Sequence, residues 1–85
     1  MNTTKVPPNS LSRALAFVAR GGRLCVRTAI RCTVIDAKTV KKFEEAGFPV
    51  LREEGAGYRL QHGRNSVYLM PGQLEAVNEC GLRFS

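Results

Sequence analysis

The stretch RLCVRTAIRCTVI, Arg23 to Ile35, decides the fold. Leu24, Val26, Thr28, Ile30, Cys32 and Val34 alternate with the other residues. That is the period of a strand, whose successive side chains point to opposite faces. Six of the ten residues from Val26 to Ile35 are β-branched, which also favours a strand. The alternative is a helix over Val26 to Thr33, which would bury Val26, Ala29, Ile30 and Thr33. Both readings place Arg23, Arg27 and Arg31 on one face, because a spacing of four aligns side chains in a strand and in a helix alike. In the strand, the stripe lies opposite Leu24, Val26, Ile30 and Val34.

Upstream, Met1 to Asn9 contains Pro7-Pro8 and reads as a flexible, extended arm outside a domain of residues 10–85. Ser10 suits a helix N-cap. Leu11, Ala14, Leu15 and Val18 follow the spacing of an apolar helical face, and Gly21-Gly22 ends that helix. Downstream, Asp36 suits the N-cap of a helix from Ala37 to Ala46, closed by Gly47, with Val40 and Phe43 inward. Lys38, Lys41 and Lys42 oppose that helix's macrodipole. This order suits either an anion at the helix start or a Lys/Glu face that is merely solvated.

Pro49 to Glu54, Tyr58 to His62 and Ser66 to Met70 then read as three strands of an antiparallel meander, with turns at Gly55-Ala56-Gly57 and Gly63-Arg64-Asn65. Tyr58 and Tyr68 are candidates to share a sheet face and stack on bases. Gln73 to Glu79 reads as one or two helical turns with Leu74 and Val77 inward. The expected class is α+β: one small domain with an N-terminal helix, a strand, a helix and a β-meander.

The 85 residues carry 13 Lys+Arg against 7 Asp+Glu, a formal charge of +6. All of the excess lies in residues 1–35, which hold Lys5, Arg13, Arg20, Arg23, Arg27 and Arg31 and no acid. Such a stretch resembles a transit peptide in charge, but Leu24 to Ile35 reads as structure. No apolar run approaches the roughly 18–20 residues that cross a bilayer.

Catalytic parts are few. The single histidine, His62, sits before Gly63 with nothing in sequence to orient it or pair it with a nucleophile. Gly55 and Gly57 form no phosphate loop, since they open a strand and lack the GxxxxGK pattern. Cys25, Cys32 and Cys80 include no CxxC, which argues against zinc and for free thiols in a reducing compartment. The reading is a non-enzymatic protein without metal or cofactor, in the cytoplasm.

From Leu11 the order of signals resembles a winged-helix DNA-binding domain of bacterial or phage regulators. TAIRCTVIDAKTVKK stands where a helix-turn-helix would, and AGFPVLREEGAGYRL looks like the segment leading through the wing. The resemblance covers about residues 11–60. It implies a helix over residues 26–33 and a recognition helix within Asp36 to Phe43, with Lys38, Thr39, Lys41 and Lys42 facing DNA. It also implies a wing at Glu54 to Arg59, with Arg59 near phosphate. The usual turn glycine is replaced by Thr33 and Val34.

The candidate binding residues are therefore Arg23, Arg27, Arg31, Lys38, Lys41, Lys42, Arg59 and Arg64. Guanidiniums in line, with no carboxylate nearby in sequence, suit a phosphate backbone. The expected partner is nucleic acid, duplex DNA before RNA, bound by a phage or bacterial regulator or accessory protein. The second expectation is an acidic host-protein surface, blocked by a small phage inhibitor of the anti-CRISPR kind. A homodimer through an open sheet edge is the third.

Overall fold

A computed structural model of the chain describes residues 3–30, 32–78 and 81–84. Its elements run β1 (Thr3–Lys5), α1 (Leu11–Ala19), β2 (Arg23–Arg27), β3 (Cys32–Ile35), α2 (Ala37–Glu45), β4 (Leu51–Glu54), β5 (Gly57–His62), β6 (Asn65–Leu69) and β7 (Leu74–Val77). They form an α+β domain with two antiparallel sheets, ordered β1-β7-β2-β3 and β4-β5-β6.

The decisive stretch is a hairpin. The expected single strand breaks after Arg27, and Arg27 pairs with Cys32, Val26 with Thr33, Cys25 with Val34 and Leu24 with Ile35. Directly opposed residues share a face. Every pair joins an even number to an odd one, so the inward positions change parity across the turn. Leu24, Val26 and Ile35 are buried, whereas Val34 turns outward and Ile30, at the turn, is 93% exposed. The apolar face expected from Leu24 through Val34 therefore stops at Val26. The described residues among 26–33 also form no helix of the kind that the winged-helix resemblance implies.

Two further expectations change at the ends. The N-terminal segment is not an arm outside the domain: β1 pairs with β7, and Val6 is buried and donates its N–H to the Leu74 carbonyl at 2.9 Å. Residues 74–77 are a strand rather than helical turns. β7 lies between β1 and β2, with all four residues buried, so pairing on both sides overrides the weak local preference.

α1 sits against β2 and β4. Ala14, Phe17 and Val18 are its buried face, so Phe17 does work that the expected stripe gave to Leu15. Ser10 occupies the N-cap position without a side-chain bond. The helix start is instead satisfied from the second sheet: Leu11 N–H donates to Glu53 at 2.9 Å, and Ser10 N–H donates to the Tyr58 hydroxyl at 3.2 Å. Tyr58 in turn donates to the Pro7 carbonyl at 2.6 Å. Both sheets and α1 feed one core that includes Phe17, Leu24, Ile35, Leu51, Tyr58, Leu69 and Leu74.

Candidate nucleic-acid interface

The arginine stripe lies on the outer face of the first sheet. Arg23 and Arg27 flank Cys25 on β2, two residues apart on either side, as the strand period requires. Arg31 lies outside the described residues. Arg27 is engaged: its Nε donates at 2.8 Å to Glu75, which stands on β7 opposite Cys25. Arg23 also has an interaction within the chain. Glu75 accepts a second bond from the Thr3 hydroxyl at 2.6 Å. The Thr3 bond first, and Arg27 second, hold its carboxyl below the ordinary 4.5. The carboxylate that answers Arg27 comes from 48 residues away.

The same face carries a disulfide between Cys25 and Cys32, so these two are not free thiols. They lie diagonally across the hairpin, with Cα atoms 6.1 Å apart, within the range that a disulfide spans. Cys80 lies outside the described residues.

α2 presents a different kind of basic surface. Asp36 caps the helix, accepting from Thr39 N–H and from the Thr39 hydroxyl, each at 2.9 Å. The backbone bond, then the hydroxyl, holds the Asp36 carboxyl below its ordinary value. The helix start thus already carries an anion of its own. Gly47, at φ +93°, ends α2 with Gly47 N–H bonded to Glu44 and Phe48 N–H to Phe43, and the Phe43 and Phe48 rings meet at 5.6 Å. This is a Schellman closure with its usual apolar contact. Between the two caps, Lys38, Lys41 and Lys42 are exposed on one side and line a recess of about 530 Å³ with Thr39 and Glu45. None of the three lysines makes an ion pair among the described residues.

The second sheet offers a third cationic face. Arg52 on β4, Arg59 on β5 and Tyr68 on β6 stand in one row, because Arg52 pairs with Arg59 and Arg59 with Tyr68. The Arg59 guanidinium lies 5.6 Å from the Tyr68 ring centre. It also donates to Glu54 at 2.7 Å, so Arg59 is engaged as Arg27 is. Arg64 is exposed in the turn after β5. Tyr58 does not share this face; it points into the core and is 1% exposed.

The expected residues therefore occupy three surfaces. The outer faces of the two sheets look away from the core that the sheets share, and the lysines of α2 form their own face. Sequence spacing found the lysines. It missed Arg52, which alternates outward between Leu51 and Glu53, and Glu75, whose role depends on pairing across the chain. Searches against known protein families, curated proteins and solved structures find no match to this chain. Among the described residues no helix is long and apolar enough to cross a membrane.

Proposed function

We propose that this is a small, basic, non-enzymatic nucleic-acid-binding protein, a regulator or accessory factor of phage or bacterial type, that contacts phosphates through α2. One observation carries the reading. Lys38, Lys41 and Lys42 share an exposed face without a carboxylate partner among the described residues, whereas Arg27 and Arg59 are each held by a glutamate of the chain itself. A cation already held in an internal pair has less to give to a phosphate than one held only by water. The contact proposed is distinct from helix-turn-helix docking, since the strands β2 and β3 precede α2. Duplex DNA is the expected form. Arg52 and Tyr68, on either side of the Glu54-held Arg59, offer a second contact suited to single strands, through stacking beside charge.

The test is anisotropy of a labelled duplex titrated at several salt concentrations. Each phosphate neutralised contributes about −0.9 to the slope of log K against log salt. Replacing Lys38, Lys41 and Lys42 with Gln is expected to weaken binding and to flatten that slope by about 2.7, three times the single-phosphate figure. An unchanged slope in the triple variant overturns the reading. The variants leave both caps of α2 intact, so circular dichroism is expected to be unaltered.

A second reading has its own observation. Beside the lysines, α1 and α2 bound a largely apolar cleft of about 610 Å³, lined by Leu15, Ala16, Val18 and Ala19 of α1 and Ala37 and Val40 of α2, with Lys41 and Glu44 also on its wall. Apolar surface next to lysine suits an acidic protein surface, as an inhibitor of a larger host assembly would meet. It predicts a stable stoichiometric complex with that assembly and no affinity for duplex DNA at moderate salt.

A further inference from the structure

The disulfide occupies a site that the binding face does not explain. Cys25 and Cys32 line an open pocket of about 280 Å³ on the outer face of the first sheet, with Thr3, Arg23, Arg27, Val34 and Val77. Its two sulfurs are not equivalent. Cys25 is on an inner strand and is 3% exposed; Cys32 is exposed and stands on β3, an edge strand. A thiolate attacks a disulfide sulfur in line with the bond that breaks, so access to the far side decides which sulfur is hit. The far side of Cys32 is the open edge of the sheet. The far side of Cys25 is β7.

The charges around the pair point the same way. Arg27 is the register partner of Cys32 and lies two residues from Cys25. Its Nε is taken by Glu75, but its side chain is 59% exposed and its terminal nitrogens make no bond among the described residues. Lys5 on β1 pairs with Glu75 across the same face. One carboxylate, Glu75, stands directly opposite Cys25 on this face, and among the described residues it is answered by the cations Lys5 and Arg27, with Arg23 on the same face. Neighbouring cations stabilise a thiolate, and a stabilised thiolate is the better leaving group.

From this geometry we infer that Cys32 is a thiol–disulfide exchange site for small thiols that carry carboxylates. The attacking thiolate forms a new S–S bond to Cys32 Sγ. The Cys25–Cys32 bond breaks, and its electron pair leaves on Cys25 Sγ as a thiolate beside Arg27. The product is a mixed disulfide at Cys32 and a free Cys25. No other oxidant or reductant enters the step. The anionic groups of the incoming thiol face Arg27 at the mouth of the pocket, while the apolar floor is formed by Val34 and Val77.

The experiment uses the full chain with Cys80→Ser, so that the pair holds its only cysteines. The protein is exposed to glutathione, 2-mercaptoethanol or cysteamine at equal thiolate concentration, quenched with iodoacetamide and mapped by mass spectrometry. Glutathione is expected on Cys32 with the alkyl label on Cys25. It is expected to react on the order of ten-fold faster than cationic cysteamine at low salt, with the ratio collapsing at high salt. Arg27→Gln is expected to reduce the same ratio; the salt series gives the same information without altering the chain. The proposal is overturned by an adduct on Cys25, by equal rates for the three thiols, or by alkylation of both cysteines before any thiol is added.

Discussion

Gly22 shows how one residue fixes the joint between α1 and β2. A Cβ built there would run into the ring of Phe17, which is fully buried in the core. Gly22 N–H also bonds the Phe17 carbonyl at 3.0 Å, so backbone and ring close the same corner. Gly22→Ala forces an overpacked core and is expected to cost about 1–3 kcal/mol, read as a lower midpoint in urea at unchanged slope. Gly21, at φ +105°, is needed for its backbone instead. The Gly-Gly pair was readable as a helix stop. That its second member makes room for an aromatic ring was not, because Phe17 stood outside the expected apolar stripe. Tyr58 is a similar case: its place in an alternating strand was visible, but its bonds to Pro7 and Ser10 join residues 51 and 48 positions apart.

At the scale of elements, strands with local partners were legible and strands with distant partners were not. The three-stranded meander is signalled by glycine turns, and β4, β5 and β6 form close to their expected bounds. The sequence between β2 and β3 is Thr28, Ala29, Ile30 and Arg31, without the Gly, Pro or Asn that marks most turns, so one alternating run concealed two strands. β7 reads L-E-A-V and becomes a strand because β1 and β2 flank it. The acidic residue in that strand gives the first sheet a pH dependence. Glu75 has a folded pKa below the ordinary 4.5, so its bonds to Thr3 and Arg27 stabilise the fold fully above that value. The contribution is lost as pH falls from 4.5 through the lower, folded value. Glu75→Gln is therefore expected to be less stable than the parent chain at neutral pH and to lose less stability below pH 4.5, measured by thermal melts across an acid series.

At the scale of the molecule, the net charge of +6 resolves into surfaces with different duties. The arginines of the first 35 residues dominate the linear charge map, yet Arg27 serves the sheet through Glu75. The lysines of α2 sit in the half of the chain whose charges cancel on paper, and they are the ones that lack ion-pair partners among the described residues. Linear charge counting located cations but not their engagement, since engagement is a property of pairing across the fold.

The sheet order β1-β7-β2-β3 also sets a timetable for synthesis. β7 leaves the ribosome after every other described strand, yet it must lie between β1 and β2. The meander of β4, β5 and β6 needs only neighbours in sequence and is free to close early, whereas β1 waits for a partner 70 or more residues behind it. A nascent chain arrested with Gly72 just outside the exit tunnel is expected to be cut readily by protease within residues 3–27, and one extended beyond Ser85 by a tunnel-length linker to resist. Until that last strand arrives, the most cationic third of the newborn protein stands open as an unpaired sheet edge beside the ribosome's own RNA.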